Sequence, residues 1–296
     1  MRSRISGLLL ASMVGAASGA AGSPVASSHP ADVLARLQLV PDQLPLESSK
    51  PVVVLVHGIN AGPEVFDVLA RGLAQRGFQV VRFRYDYEDN LERSADRFVR
   101  AVRTLRNLCA PPSITVIAHS MGGLVARRAM TVGRPETLAE PAGGLPIRLV
   151  TVASPFGGFS EANLTRLWVV RILAAPFGVM ESHANLGSRS SFICQPGSLG
   201  ANVSHVKAET EEEGKTRLDW RGRRERDTVA RRRNQRNPIV DADARARVVH
   251  IDAGHVGVIE DHREVPQIFW DALEDSGMLA RDKTAAGMNP AEMNED

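Results

Sequence analysis

Short, continuous apolar runs alternate along the chain with longer segments in which apolar residues recur every three or four positions. Continuous runs are typical of parallel strands that are buried on both faces of a sheet, and the longer period indicates amphipathic helices. The predicted strands lie at 51–56, 78–84, 114–118, 149–153, 204–208 and from 247 onward. The predicted helices lie at 64–76, 91–108, 121–130 and 265–273. This alternation predicts an α/β fold with a mostly parallel, doubly wound sheet.

The third predicted strand leads directly into a candidate nucleophile. It ends in Ala118-His119-Ser120-Met121-Gly122, and a helix-forming segment follows. Strand, sharp turn and helix place Ser120 at the apex of the turn with its hydroxyl exposed. Small residues are needed two positions before and after the serine, because larger side chains would collide across the turn. Ala118 and Gly122 meet this need, although Ala118 departs from G-x-S-x-G by one methyl group.

The first predicted strand ends in His57-Gly58, a second candidate part of the same site. A backbone N–H group that points into the cleft at this position would stabilise a developing oxyanion. We expect Ile59 to supply this donor, with Gly58 giving the loop room to turn. The N–H group of Met121, directly after the candidate nucleophile, would supply the second donor.

From about Lys50 to Leu273 the chain resembles the α/β-hydrolase family, and more narrowly its lipases and esterases. The resemblance implies an α/β-hydrolase fold, whose catalytic triad follows the order serine, acid, histidine along the chain. No metal or organic cofactor is implied. The motifs that carry the resemblance are His57-Gly58, Ala118-His119-Ser120-Met121-Gly122-Gly123, Ser154-Pro155-Phe156-Gly157-Gly158 and Gly254-His255-Val256-Gly257.

The triad order makes His255 the candidate general base. Of the eight histidines, it alone follows a late strand and a glycine, so its imidazole would reach back to Ser120. We expect three other histidines to be structural. His119 would point towards the packing of its own helix, His57 would serve its loop, and His250 would lie within the last strand.

The acid of the triad must orient the imidazole from a loop after the strand at 204–208. Many carboxylates follow that strand. We expect Asp227 to be the acid, because it precedes a small residue and a valine, as the acid commonly does in related lipases. Glu209 and Glu211, which are nearest the end of the strand, remain the alternatives.

An apolar segment at 159–197 interrupts the alternation of strands and helices. An insertion directly after the carboxyl end of a strand is where such hydrolases place a cap or lid. Lipophilic residues there would line an acyl pocket or open at a lipid interface. We expect Leu167, Trp168 and Phe177 to contact the substrate. The alternative is an additional core helix.

The composition is that of a single enzyme domain, with 296 residues, of which 43% are hydrophobic and 24% charged. The formal net charge of only +2 and the lack of helix-turn-helix or metal-knuckle spacing disfavour nucleic acid as a partner. Eight arginines cluster at 221–236. Because acidic residues are interspersed among them, a solvated excursion is favoured over a basic patch for anionic lipid or polysaccharide.

Both ends of the chain are expected to lie outside the hydrolase domain at 50–275. Residues 1–22 have the basic, apolar and small-residue parts of a signal peptide, which predicts a periplasmic or secreted protein. An uncleaved membrane anchor is the alternative. The polar tail at 277–296 is expected to be disordered. If the protein is exported, one bridge between Cys109 and Cys194 is possible, and the sequence leaves this open.

These features together predict an exported serine hydrolase that cleaves carboxylic esters, with lipophilic acyl groups favoured by the apolar insertion. The expected partner is a small-molecule or lipid ester, with transient contact to a lipid interface. The same machinery would also suit a thioesterase, an amidase or an acyltransferase. A non-catalytic binding protein on a hydrolase scaffold is the alternative from a different class.

Overall fold

The computed structural model describes residues 34–35, 38–48, 50–160, 181–210, 217–218, 224–225, 230, 232–259 and 265–279. The strands are β1 Leu39–Pro41, β2 Val52–Val56, β3 Gln79–Phe83, β4 Ile114–His119, β5 Ile147–Val152, β6 Val203–Thr210, β7 Arg217–Leu218, β8 Arg224–Glu225 and β9 Ala246–Ile251. The helices are α1 Asp67–Gln75, α2 Leu91–Cys109, α3 Met121–Ala129, α4 Glu181–Leu186, α5 Ser191–Cys194, α6 Arg232–Gln235, α7 Pro238–Asp241 and α8 Gln267–Asp275.

Seven strands form one sheet in the order β1-β3-β2-β4-β5-β6-β9, and β7 and β8 form a separate pair. Within the large sheet β1 is antiparallel to β3, and every other pair is parallel. The chain runs outward from β2 to β3 and then crosses back past β2 to β4. The direction of winding therefore reverses between β2 and β4, where doubly wound sheets bind ligands at the carboxyl ends of their strands. The predicted mostly parallel, doubly wound sheet is confirmed.

Two apolar layers cover the faces of the sheet, which explains why its central strands are apolar at every position. All five residues of β2 are buried. Val52, Val54 and Val56 pack in the layer that contains α2 and α3, whereas Val53 and Leu55 pack in the layer that contains α1 and α8. This three-layer core holds the carboxyl ends of β2, β4 and β5 at one fixed edge.

Several elements differ from the predicted ones. The edge strand β1 was not predicted, because three residues are too few to show a period. The helix predicted from residue 64 begins at Asp67, after a 3-10 turn at Pro63–Phe66. Strand β6 continues two residues beyond its predicted end and so includes Glu209. Helix α8 begins at Gln267 because Pro266 occupies its N-cap position.

The described part of the predicted insertion folds onto the body of the domain. Helix α4 is tied to the loop after β3, where the Ser182 N–H donates to the Glu88 carbonyl at 3.2 Å. The side chain of Asn185 accepts from the Leu91 N–H at 3.0 Å. Leu186, at the end of α4, belongs to the apolar layer of α2 and α3. Residues 181–197 thus form part of the wall above that layer.

Some predicted features lie outside the described residues. These are the signal peptide at 1–22, the part of the expected tail at 277–296 that follows Leu279, and the three expected substrate contacts Leu167, Trp168 and Phe177. Met278 and Leu279, within the bounds of that tail, are buried in the layer of α1 and α8. Cys109 and Cys194 are both free, the first buried at the end of α2 and the second exposed at the end of α5. Among the described residues, no helix has both the length and the apolar character that a membrane crossing requires.

Candidate active site

Ser120 occupies a strained turn between β4 and α3. Its backbone has φ 52° and ψ −126°, a conformation that residues with a side chain rarely adopt. The turn is held on both sides: the Ser120 N–H donates to the Val152 carbonyl at 2.7 Å, and the Ser120 carbonyl accepts from Gly123 at 3.0 Å. The sheet and the first turn of α3 therefore stabilise a conformation that places the hydroxyl at the carboxyl edge of the sheet.

Two further residues at this edge have positive φ without being glycine. Asn60, four residues after β2, has φ 52°, and Ala153, directly after β5, has φ 51°. Strained backbone of this kind is concentrated at functional sites, where the surrounding structure enforces it. Residues with strained backbone follow three neighbouring strands, β2, β4 and β5, and their position identifies this edge as the candidate site.

His255 lies opposite the serine. It follows β9 in a turn, and its Nε2 atom is 3.1 Å from the Ser120 hydroxyl oxygen. The imidazole is almost completely buried. A nucleophile and a base within hydrogen-bond distance are the essential pair of covalent catalysis by serine. The fold thus brings together Ser120 and His255, which are 135 residues apart in the sequence.

His119 contacts this pair. Its position in the turn had suggested that it points into the packing of α3, and the structure places it against His255 instead. Its Nε2–H donates to the main-chain carbonyl of His255 at 2.8 Å. The two imidazole rings are tilted against each other with their centroids 4.8 Å apart. Burial and the neighbouring His255 lower the pKa of His119 to about 3. His119 is therefore neutral and too weakly basic to compete with His255 as the general base.

His57 organises the loop after β2, as expected. Its Nδ1–H donates to the Gly58 carbonyl at 2.9 Å, and its Nε2 accepts from the Tyr85 N–H at 3.4 Å. The Tyr85 hydroxyl donates to the His57 carbonyl at 2.9 Å, and the two rings stack with centroids 4.5 Å apart. Burial lowers the pKa of His57, which favours the neutral imidazole in this arrangement. Tyr85 was missed by the sequence analysis, although it stands just after the carboxyl end of β3.

The loop after β2 passes directly over the nucleophile. A β-carbon on Gly58 would lie 2.9 Å from the Ser120 β-carbon, so only glycine allows this approach. Ile59 follows on this loop, and Met121 opens α3. Among the described residues, neither of their N–H groups donates to a backbone or side-chain acceptor. Both groups are thus unengaged within the described part of the chain.

The described residues include one of the three candidates for the acid. Both oxygens of Glu209 are bound: Oε1 lies 2.9 Å from Lys207 Nζ, and Oε2 lies 3.3 Å from Arg236 Nε and 3.4 Å from His250 Nδ1. Burial alone would raise the pKa of Glu209, but the bond from Lys207 and the charges of Lys207 and Arg236 lower it. Glu209 therefore balances the buried Lys207, which also binds Asp241. Asp227 and Glu211 lie outside the described residues.

Gln235 joins the two ends of the segment that contains Asp227. Its side-chain oxygen accepts from the Thr210 N–H at 3.0 Å, and its Nε2 donates to the Thr210 carbonyl at 2.9 Å. The same Nε2 donates to the Ala230 carbonyl at 2.7 Å. The amide is buried, so these bonds are shielded from water. The sequence contains no local signal for this role, since Gln235 and Thr210 are 25 residues apart.

The site holds no candidate cation cluster in the described part of the chain, where no group of three or more His, Cys, Asp or Glu side chains is arranged to hold a metal ion. Its described polar groups are two imidazoles around one hydroxyl, with unengaged backbone N–H groups beside them. This set suits nucleophilic attack by the hydroxyl, proton transfer through His255 and stabilisation of an oxyanion.

Comparison with known proteins agrees with this geometry. Residues 53–268 match the family model described as the alpha/beta hydrolase family. The mature form of the lipase BlEst2 from Bacillus licheniformis has a similar fold, with a TM-score of 0.57 and 14% identity over 81% of this chain and 98% of that one. Its propeptide form matches with the same TM-score and identity over 80% and 53% of the two chains.

At this low identity the structural likeness shows the fold alone. No curated protein matches the sequence significantly. The family match covers most of the chain and includes all but the first residue of β2, the turn at Ser120 and the turn at His255. It therefore confirms the resemblance at the level of the family and supports a hydrolase. The chain belongs to the alpha/beta hydrolase family and has the fold of that family.

Proposed function

We propose that the protein is a serine hydrolase that cleaves carboxylic esters through an acyl-enzyme. One observation carries this proposal: His255 Nε2 lies 3.1 Å from the hydroxyl oxygen of Ser120, which stands in a strained turn at the carboxyl edge of the sheet. A buried serine that only stabilises the fold needs neither the positive φ nor a histidine at its hydroxyl. Family membership and the fold shared with a lipase support the same reading.

The first half of the reaction acylates Ser120. The serine oxygen attacks the carbonyl carbon while its proton passes to His255 Nε2. The negative charge that develops on the carbonyl oxygen is stabilised by the N–H groups of Ile59 and Met121. When the tetrahedral intermediate collapses, the bond to the alkoxy group breaks and His255 returns the proton to the departing alcohol.

The second half regenerates the enzyme. A water molecule attacks the acyl carbon, His255 accepts its proton, and the tetrahedral intermediate forms again in the same oxyanion hole. The bond to Ser120 then breaks, His255 protonates the serine oxygen, and a carboxylic acid leaves. We assign the third member of the triad to Asp227, which would hold the imidazole in the correct tautomer and offset its positive charge. The three bonds on Glu209 support Asp227 over that alternative.

We further propose that the acyl group is lipophilic and that the protein acts after export. The apolar segment at 159–197 supports the first point, because its described part forms a wall of the domain directly beyond β5. Leu167, Trp168 and Phe177 are the proposed substrate contacts. The signal-like sequence at 1–22 supports the second point. A transient contact with a lipid interface follows from both.

The test is hydrolysis of p-nitrophenyl esters with acyl chains that range from short to long. We expect activity in the wild type that Ser120→Ala and His255→Ala both abolish. Ser204→Ala and His250→Ala are the matched controls, since both side chains are exposed and lie on β6 and β9, at least two strands away from β4. A chain-length optimum at long acyl groups is expected for a lipophilic substrate.

A fluorophosphonate probe separates the remaining alternatives. It labels a serine that an adjacent base activates, so labelling at Ser120 is expected whether the natural acyl donor is an ester, a thioester or an amide. Product analysis with added alcohol then distinguishes a hydrolase from an acyltransferase. If neither the esters nor the probe react with Ser120, the protein is a binding protein on a hydrolase scaffold and the proposal is wrong.

A further inference from the structure

His119 is a buried polar residue that the proposed reaction does not use. Of its two ring nitrogens, Nε2 donates to the His255 carbonyl at 2.8 Å, over a separation of 136 residues. The other, Nδ1, has no hydrogen-bond partner among the described residues. Burying a polar ring costs free energy that a purely apolar side chain at this position would avoid. The hydrogen bond that the His119 side chain makes to the His255 carbonyl is therefore the feature to explain.

The position of His119 along the chain gives this bond a particular effect. His119 is the residue directly before Ser120, at the end of β4, and it is held in the central strand of the sheet. The bond connects this rigid point to the main chain of the base. Ser120 and His255 consequently share one anchor, although 135 residues separate them in the sequence.

The ring also fills the space between the base and the loop after β2. A β-carbon on Gly58 would lie 3.3 Å from His119 Nδ1, so the imidazole lies against that loop. On its other side, the ring is tilted against the imidazole of His255, 4.8 Å away between centroids. His119 thus touches the nucleophile, the base and the proposed oxyanion loop at once.

We infer that His119 is a positioning residue, which holds the imidazole of His255 in reach of Ser120 through the bond to the His255 main-chain carbonyl. This inference rests on the proposed function, because positioning a base matters only if the base acts. His119 itself takes no proton in the reaction. Its neutral imidazole keeps the Nε2–H donor through both steps and places no second positive charge beside His255 when that residue accepts a proton.

A matched pair of variants tests the inference. Glutamine carries a donor nitrogen as many bonds from Cβ as His119 Nε2, and methionine has the same length and a similar volume without a donor. We expect His119→Gln to keep the rate of fluorophosphonate labelling within about threefold of wild type. We expect His119→Met to lower that rate about tenfold to a hundredfold, because a misplacement of about 1 Å in a reacting group costs up to that much.

Three readouts separate positioning from a general loss of structure. The final extent of labelling counts the folded sites, and kcat is expressed per labelled serine. We expect kcat to fall in His119→Met while KM for the ester is unchanged. The thermal midpoints of the two variants should agree within a few degrees. If methionine prevents folding, His119→Asn replaces it, since its shorter amide is polar but does not reach the His255 carbonyl.

The outcomes are distinct. If the methionine or asparagine variant is labelled as fast as the glutamine variant, the bond to His255 has no positioning role and the inference is wrong, while the proposed function stands. If the wild type itself is neither labelled at Ser120 nor active on esters, the proposed function fails and the inference fails with it.

Discussion

The carbonyl oxygen of His57 lies against the α-carbon of Gly122, and through this contact the start of α3 packs on the end of β2. A β-carbon on Gly122 would lie 2.6 Å from the Val56 carbonyl oxygen and still closer to that of His57. The need for a small residue two positions after Ser120 therefore comes from β2 and its loop. It does not come only from a collision across the turn itself.

We expect Gly122→Ala to destabilise the protein by about 1–3 kcal/mol, the usual cost of forcing an extra methyl group into a packed site. Because the clash pushes the His57 loop away from Ser120, kcat for ester hydrolysis should fall as well. Gly257→Ala is the matched control at the same edge, since the nearest atom to its new β-carbon would be 4.0 Å away. Urea unfolding and ester hydrolysis measure the two effects. Equal changes in the free energy of unfolding and in kcat for the two variants would contradict the packing argument.

Tyr85→Phe tests how the oxyanion loop is held. The change removes the donor to the His57 carbonyl, which is buried, and an unsatisfied buried carbonyl costs about 1–3 kcal/mol. Burial raises the pKa of the Tyr85 hydroxyl, so it remains a donor at any working pH. We expect lower thermal stability and a reduced kcat per labelled serine. Tyr87→Phe is the control, because in the described part of the chain the Tyr87 hydroxyl makes no hydrogen bond. If Tyr85→Phe changes neither the thermal stability nor kcat, the stacking of the Tyr85 and His57 rings is sufficient to hold the loop.

The identity of the acid is tested by a second pair. Asp227→Asn should lower kcat by about a thousandfold or more, as expected when the base loses the partner that fixes its tautomer. Glu209→Gln should leave most of kcat but reduce the free energy of unfolding, because it weakens the neutralisation of the buried Lys207. Active-site titration and urea unfolding distinguish the two effects. The reverse pattern would identify Glu209 as the acid.

Gln235→Met should reduce the free energy of unfolding by about 2–4 kcal/mol, since it keeps the volume of the side chain but leaves the polar groups of Thr210 and Ala230 unsatisfied. Gln267→Met is the control, because the bond of its side chain to Asp271 is exposed. Chemical denaturation of both variants measures the difference. A change no larger than in the control would mean that water replaces these bonds at no cost.

Stability should fall on mild acidification. Burial lowers the pKa of His119 and of His205 to about 3, whereas both titrate near 6.5 when unfolded. Between these values the unfolded chain binds protons that the folded chain does not, so the free energy of unfolding decreases as pH falls. The slope approaches about 1.4 kcal/mol per pH unit for each histidine. His57, whose pKa burial also lowers, adds to the same trend.

Urea unfolding between pH 7.5 and pH 5 measures this slope, roughly the range in which an ordinary histidine changes its charge. His205→Gln should reduce it, because the amide keeps the bond to Thr151 without a titrating ring. Glu209, whose pKa lies below its ordinary value of 4.5, contributes only in more acidic solution. An unchanged slope in the variant would show that His205 binds protons equally well in the folded and the unfolded protein.

The hydrophobic pattern within short segments was enough to predict the individual strands and turns of the fold. Strands β2 and β4 are apolar at nearly every position because they are covered on both faces. Their sequences alone therefore predict that they lie in the interior of the sheet. The turn at Ser120 and the late position of His255 follow from the same order of elements. The contact between the two residues at 3.1 Å agrees with that order.

Other parts of the site could not be predicted, because they depend on contacts between distant segments. The bond from His119 to the His255 carbonyl and the bonds from Gln235 to Thr210 join side chains to main chain, and any residue offers the same carbonyl. A main-chain acceptor of this kind therefore cannot be identified from the residue type. Tyr85 likewise acquires its role only when β3 is placed beside β2.

The side chain of Gln235 fixes Thr210 and Ala230 to one another, so that the chain between them begins and ends at a single closed point. Changes in the length of that stretch need not be transmitted to β6 or α6, and the entropy of closing a longer loop rises only slowly with its length. The number of residues there can therefore vary while the sheet that carries Ser120 stays as it is, provided that Asp227, the proposed acid, is retained.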